Sequence, residues 1–195
     1  MNDRLSNPLG ILLNRRSVVA KNLTEPGPDD DELTSLLATG IRVPDHGKIG
    51  PWRLQVMRKP VQARLGDILA ARFRALHDDA SDHQIEFERQ RPQRAPILIV
   101  VSSRVDRARQ VPEIEQLMSC GAVCQNLLNA SVILGYAAQW LTEWPAFDEE
   151  IKAALGVPDD QHLVGFIYIG SAAEPPNERP RPGLEDVVSY PETLP

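Results

Sequence analysis

The sequence predicts an α+β fold, and three observations carry the prediction. Helix-like and strand-like stretches interleave, but without the strand–helix–strand rhythm of a doubly wound parallel sheet. Neither an internal repeat nor a long linker divides residues 1–195, so one domain is expected. At 195 residues the chain can bury a sizeable core without disulfides or a metal.

The elements follow in order. Ser6-Asn7-Pro8 reads as a helix start, a capping side chain before a first-turn proline, leading into Leu9, Leu12 and Leu13 and ending near Arg15-Arg16-Ser17. A second start lies at Asp29–Asp31, with Leu33, Leu36 and Leu37 on one face and Gly40 near the end. The loop 43–51 holds two prolines and two glycines, and a strand follows in which Trp52, Leu54 and Val56 alternate with Arg53, Gln55 and Met57. Leu65, Ile68, Leu69, Phe73 and Leu76 keep helical spacing. The stretch 78–94 is so polar that it predicts an exposed helix, a lid or a mobile excursion. Residues 96–101 form an apolar run expected of a buried central strand. The longest helix candidate spans 112–134, apolar or small nearly all round, and suits a core or a subunit interface. Gly135 ends it; a short strand at 136–141, a helix at 148–155 and a last strand at 163–170 follow. The proline-rich segment from about 171 to 195 should be extended.

Composition excludes several function classes. A net charge of −6 argues against a nucleic-acid surface or an acidic-membrane binder. The N-terminus shows no signal peptide, and the longest apolar stretches of the chain, around 97–101 and 127–134, are too short or too polar to span a bilayer, so a cytoplasmic protein is expected. Cys120 and Cys124 are expected as reduced core thiols, too few for a closed zinc site. His46 has no metal-ligand partner at suitable spacing, and His77, His83 and His162 are expected on the surface. Gly-rich phosphate loops and nucleophile elbows are absent, so no catalytic side chain stands out and an enzyme of this sequence would rely on a cofactor.

Two segments could hold such a cofactor. Arg15-Arg16-Ser17 offers two guanidiniums and a hydroxyl, either a compact anion site or a solvated basic helix end. The loop 42–52 concentrates Arg42, Asp45, His46 and Lys48 directly before a strand, a rigid brace for a binding loop.

The order "NRRS", "RVPDHGKIGPW", "AVCQNLLNASVILGYAAQWLT" and "LVGFIYIGSAAEPPNERPRPGLEDVV" resembles the nitroreductase family of flavoproteins over nearly the whole chain, especially its small bacterial members. The resemblance implies a three-layer α/β/α sandwich around a mostly antiparallel sheet, in a domain-swapped homodimer binding FMN at the subunit interface. It implies an oxidoreductase moving electrons from NAD(P)H through FMN to a nitroaromatic, quinone or similar small acceptor in ping-pong fashion. A flavin relative that dehalogenates or reduces enones, or a non-catalytic FMN store, is the alternative. Carried over, Arg15, Arg16 and Ser17 would grip the FMN phosphate and ribityl chain, and Arg42 and His46 would reach the flavin from the other subunit. Trp140, Leu141 and Thr142 would lie along the ring, and Arg181, or else Arg179, would support the phosphate. Trp52 would pack rather than touch the flavin, and 130–135 would wall the nicotinamide side or serve the core. Where many members carry Ser-Ser-x-Asn-x-Gln-Pro-Trp, this chain has Asp45-His46-Gly47-Lys48-Ile49-Gly50-Pro51-Trp52, with Lys48 in the place of Asn.

Overall fold

The computed structural model describes residues 7–193; Ser6, part of the expected first helix start, lies outside them. Asn7 itself caps the first helix, α1 (Pro8–Asn14), its side chain accepting from the Leu9 backbone N–H. The helix ends where the sequence suggested, handing Arg15 to extended backbone. A two-residue strand, β1 (Leu23–Thr24), precedes α2 (Asp30–Gly40). Asp29 and Glu32 close a capping box at its start, satisfying two otherwise orphaned amides. Then come β2 (Trp52–Met57), α3 (Lys59–Leu76), α4 (Asp82–Gln90) and β3 (Ile97–Ser103). After them stand α5 (Glu113–Ile133), β4 (Ala137–Leu141), α6 (Glu149–Ala154) and β5 (Leu163–Ala172). Past β5 the tail carries one helical turn, α7 (Leu184–Val187).

The fold is α+β, and every strand pair is antiparallel. β5 is the spine: β3 lies along one edge, with β2 beyond it, while β4 and β1 share the other. All seven residues of β3 are buried, as a continuous apolar run demands when both faces are covered. One face packs Ile99, Val101 and Ile167 against Leu36 of α2 and Val123 and Leu127 of α5. The other packs Leu98, Val100 and Phe166 against Leu65 and Leu69 of α3 and Ile151 of α6. That arrangement is the three-layer sandwich. At the sheet edge β2 departs from its expected alternation: Met57 is buried and Val56 is exposed, because α2 and α5 cover Trp52 and Leu54 but not Val56.

Of the three expectations for the polar stretch 78–94, the structure shows the exposed helix: most of its residues face solvent, and a few are buried. The stretch forms α4 and a following turn, docked along α3. Ile85, Glu88 and Arg91 are buried there. The charges tolerate burial because they satisfy one another. Arg91 donates Nε and a terminal nitrogen to Glu88 at 2.6 and 2.5 Å, and also binds Glu143. Arg94 reaches both Glu143 oxygens at 3.0 Å, and Trp144 Nε1 donates to Glu88 at 2.8 Å. α4 comes this close only because Gly66 of α3 has no side chain; a Cβ there would overlap the Arg89 carbonyl oxygen. Gly66→Ala should therefore cost about 1–3 kcal/mol, read as a lowered urea midpoint.

Cys120 and Cys124 are both buried. Burial pushes the Cys120 thiol up to about 11 and that of Cys124 to about 12, the second helped by its neighbour. The thiolate being the nucleophile, neither cysteine should react with a disulfide reagent at mildly alkaline pH until the chain is unfolded, when both titrate. Fast reaction of either thiol in native protein would contradict this placement.

Candidate active site at the helix 1 to strand 4 cleft

A cavity of about 480 Å³ opens between the end of α1, the turn joining α5 to β4, and the start of the tail. Arg15 and Arg16 stand on its wall with Asn14, Val132, Gly135 and Ala137. The backbone positions them: Val18 N–H donates to Ala138 O, and Ala20 N–H donates to Gln139 Oε1 at 2.5 Å, stitching segment 15–20 along β4. Gly135, at φ +89°, turns α5 into β4, and a side chain there would meet open space rather than protein. The tail returns over the cleft; Arg16 Nε donates to Asn177 O at 3.1 Å, and Glu178 lies 3.7 Å from it.

Positive charge gathers at the cleft. Burial depresses the Arg15 pKa, and the positive charges of Arg181 and Arg16 depress it further. Three guanidiniums thus crowd together, and Arg15, half-buried, has no carboxylate among the described residues to compensate it. An anionic ligand would relieve both the desolvation and the repulsion. Beside it, the Tyr136 hydroxyl donates to Glu32 at 2.6 Å, a bond that raises its pKa to about 12 and ties the β4 turn to α2.

The other expected residues are placed as follows. Ser17 is exposed in the same extended segment as the two arginines. The Arg181 guanidinium donates to its own chain at Arg179 O, 2.9 Å away, and Arg179 is exposed. Trp140 is committed to packing: its Nε1 donates to Val164 O at 3.0 Å, and the ring occupies the space left by Gly165. Leu141 packs against the α3–α6 core, and Thr142 is exposed.

Arg42 and His46 stand elsewhere. Their loop is fastened along α5, where Ser119 Oγ donates to Pro44 O at 2.6 Å and Asn126 donates to Arg42 O at 3.0 Å. His46 Nδ1 lies 2.7 Å from Glu115 Oε2. Asp45 holds the loop closed by accepting from Ile49 N–H and Gly50 N–H, and Lys48 sits exposed at φ +55°. Glu115 and Val132 are 17 positions apart on α5, about 25 Å at 1.5 Å per residue. Within one chain the His46 end of the loop is therefore far from the cleft, while the Arg42 backbone, held at Asn126, is six positions, about 9 Å along the helix, from Val132.

Sequence reasoning did not single out Tyr136, Gln139 or Glu178. Tyr136 and Glu178 line the cleft, and Gln139 supports it through Ala20. Only the position of Tyr136 and Gln139, directly after the helix-ending glycine, could have flagged them.

Known proteins are similar to this chain in sequence and in fold. "Putative NAD(P)H nitroreductase YdjA" of Escherichia coli K12 is 34% identical over 167 residues, covering 84% of this chain and 87% of its own. A crystal structure of a nitroreductase-like protein from Bacillus cereus superposes with a TM-score of 0.81 at 21% identity, covering 96% of this chain and 97% of that one. A Desulfovibrio desulfuricans structure in complex with FMN gives 0.69 at 24% identity, covering 98% of both chains. Residues 12–171, from the end of α1 through β5, match the nitroreductase family model, and the chain belongs to the nitroreductase family.

Proposed function

We propose that this chain is an FMN-dependent oxidoreductase that takes electrons from NAD(P)H and delivers them to a nitroaromatic, quinone or similar small acceptor. The observation that carries the reading is the cluster of Arg15, Arg16 and Arg181 around the cleft, with the desolvated Arg15 uncompensated. Those residues fit a phosphate-bearing cofactor. Arg15 and Arg16 offer paired donors to phosphate oxygens, Ser17 adds a hydroxyl, and Arg181 closes the charge balance from the tail. Bound there, FMN would supply the two-electron chemistry linking NAD(P)H to the acceptor. Gly135 and Ala137 leave the wall bare for a flat ring. From 140–142 the backbone is what remains to meet that ring, since the Trp140 indole is already engaged. Val18 and Val132 would give such a ring apolar walls. The FMN-bound relative and the nitroreductase names of the sequence relatives support the same reading.

The working unit in this reading is a homodimer. Ile114, Met118 and Ile133 of α5 are exposed, as are Leu9, Leu12 and Leu13 of α1 and Leu184, Val187 and Tyr190 of the tail. Apolar surface on that scale calls for a partner. A two-fold axis across the middle of α5 would bring each chain's Arg42–His46 loop to the other chain's cleft. No helix among the described residues is long and apolar enough to cross a membrane, and the proposed site is in the cytoplasm.

The test is the visible spectrum of purified protein. It should be yellow, bleach on anaerobic addition of NADH or NADPH, and give parallel lines in double-reciprocal plots against an acceptor. Colourless protein that FMN cannot reconstitute would overturn the proposal; yellow protein that never oxidises NAD(P)H would leave only a flavin store.

A further inference from the structure

We infer that the chain carries a second anion site, independent of the flavin cleft, that takes a phosphate monoester bearing a flat ring. The site is a cavity of about 490 Å³ at the end of the sheet where β2 begins and β3 ends, closed by the segment after α6. It shares no lining residue with the cleft.

Strand register makes it. Arg53 of β2 lies opposite Ser102 of β3, and Arg104 N–H continues the ladder by donating to Pro51 O at 2.7 Å. Arg53 and Arg104 are therefore diagonal neighbours on one face, with Cα atoms about 7–8 Å apart, close enough for two long side chains to converge. Both line the cavity, and neither has a carboxylate partner among the described residues. Four other arginines on this side of the sheet are matched: Arg72 by Asp148 and Glu150, Arg107 by Glu113 and Asp160, and Arg91 and Arg94 by Glu143. Asp160, the acid nearest in sequence to the lining residue Gln161, is held by Arg107. In a chain of net charge −6, two adjacent guanidiniums left without counter-charge mark a place for an anion.

The floor agrees. Ser102 is 2% exposed and lines the cavity, and its hydroxyl has no hydrogen-bond partner among the described residues. Its neighbours are spoken for: Ser103 Oγ donates to Gln161 Oε1 and accepts from His162 N–H, and Gln161 also binds both backbone groups of Val105. A hydroxyl at the cavity floor between two forked cations is a donor set for a tetrahedral oxyanion. The cavity is larger than a bare ion fills, and Trp52, Val157 and Pro158 provide apolar walls for a flat ring attached to the phosphate.

Calorimetric titration of the FMN-saturated protein with inorganic phosphate and with adenosine 5′-monophosphate tests this. Both should bind, the nucleotide more tightly. Arg53→Gln with Arg104→Gln should weaken both by about 100-fold, roughly tenfold for each charge-assisted donor pair removed. Ser102→Ala should weaken both by a few-fold, and Arg64→Gln, on the exposed side of α3 and outside both cavities, should change neither. Arg53→Lys with Arg104→Lys keeps charge and fold should the glutamine pair fail to express, and loses about tenfold because the forks are gone. Absence of binding by wild type, equal affinity in wild type and the double variants, or loss on Arg64→Gln each overturns the site. Equal affinity for phosphate and nucleotide overturns its ring-bearing ligand. The flavin proposal stands or falls separately, on colour.

Discussion

Arg15→Ala with Arg16→Ala is expected to yield folded, colourless protein. Each guanidinium would make charge-assisted bonds to phosphate, worth about 1.5–3 kcal/mol apiece, so the pair should weaken FMN binding by roughly 10²–10⁴-fold. The fold should survive, because the two residues follow α1 in an extended segment whose anchors are backbone bonds at Val18 and Ala20. Arg15 is the more informative of the two. Its depressed pKa, caused first by burial and then by Arg181 and Arg16, means the empty cleft stores unfavourable charge. Removing Arg15 relieves that charge, so the apoprotein should melt no lower than wild-type apoprotein while the holoprotein melts lower than wild-type holoprotein. Arg15→Lys, retaining charge without the fork, should fall between. Apo- and holoprotein melting curves with fluorimetric FMN titration check all three; full colour in the double alanine variant would remove the basis of the flavin site.

Arg91→Ala should produce the largest loss of stability, about 3–5 kcal/mol, because it strands partners in the interior. Glu88, 4% exposed, would keep only the Trp144 indole, and Glu143 only Arg94. Burial by itself would raise the Glu143 pKa, but hydrogen bonds and charge from Arg91, then Arg94, outweigh it and hold the carboxyl below its usual value. The unfolded chain therefore takes up this proton at a higher pH than the folded one. Glu143 contributes stability that is complete above the ordinary glutamate range and fades as pH falls through its folded value. In Arg91→Ala that protection shrinks, so the acid limb of a Tm-against-pH curve should begin at higher pH. Glu143→Gln should flatten the limb. An unchanged acid limb in both variants would mean the network contributes nothing to acid stability.

The same network shows where sequence reading runs out. β3 and β5 were legible because continuous apolar runs between turn signals have few other homes, and α5 because Gly135 ends it. The arginine pair was legible because its chemistry is adjacent in sequence. Segment 78–94 was legible as an exposed helix, but not its one buried, ion-paired side. Glu88 and Arg91 are one helical turn apart and satisfy each other, but their remaining partners, Glu143 and Trp144, lie more than 50 positions away. Periodicity cannot see such a match. The second anion site was hidden for a related reason: Arg53 and Arg104 become neighbours only through strand register. Likewise, nothing in the proline-rich tail announced that Glu178 would settle beside Arg16.

The 25 Å along α5 between the His46 loop and the Arg15 cleft has a genetic consequence. If each working centre draws its loop from one chain and its cleft from the other, defects in the two regions are complementable. A chain lacking Arg15 and Arg16 and a chain lacking Arg42 and His46 would each form dead dimers. Mixed by co-expression, they would pair so that one centre collects both lesions and the other collects none. Hybrid dimers purified with two different tags should regain about half the flavin and half the turnover of wild type; hybrids as inactive as their parents would show that each centre is made from a single chain.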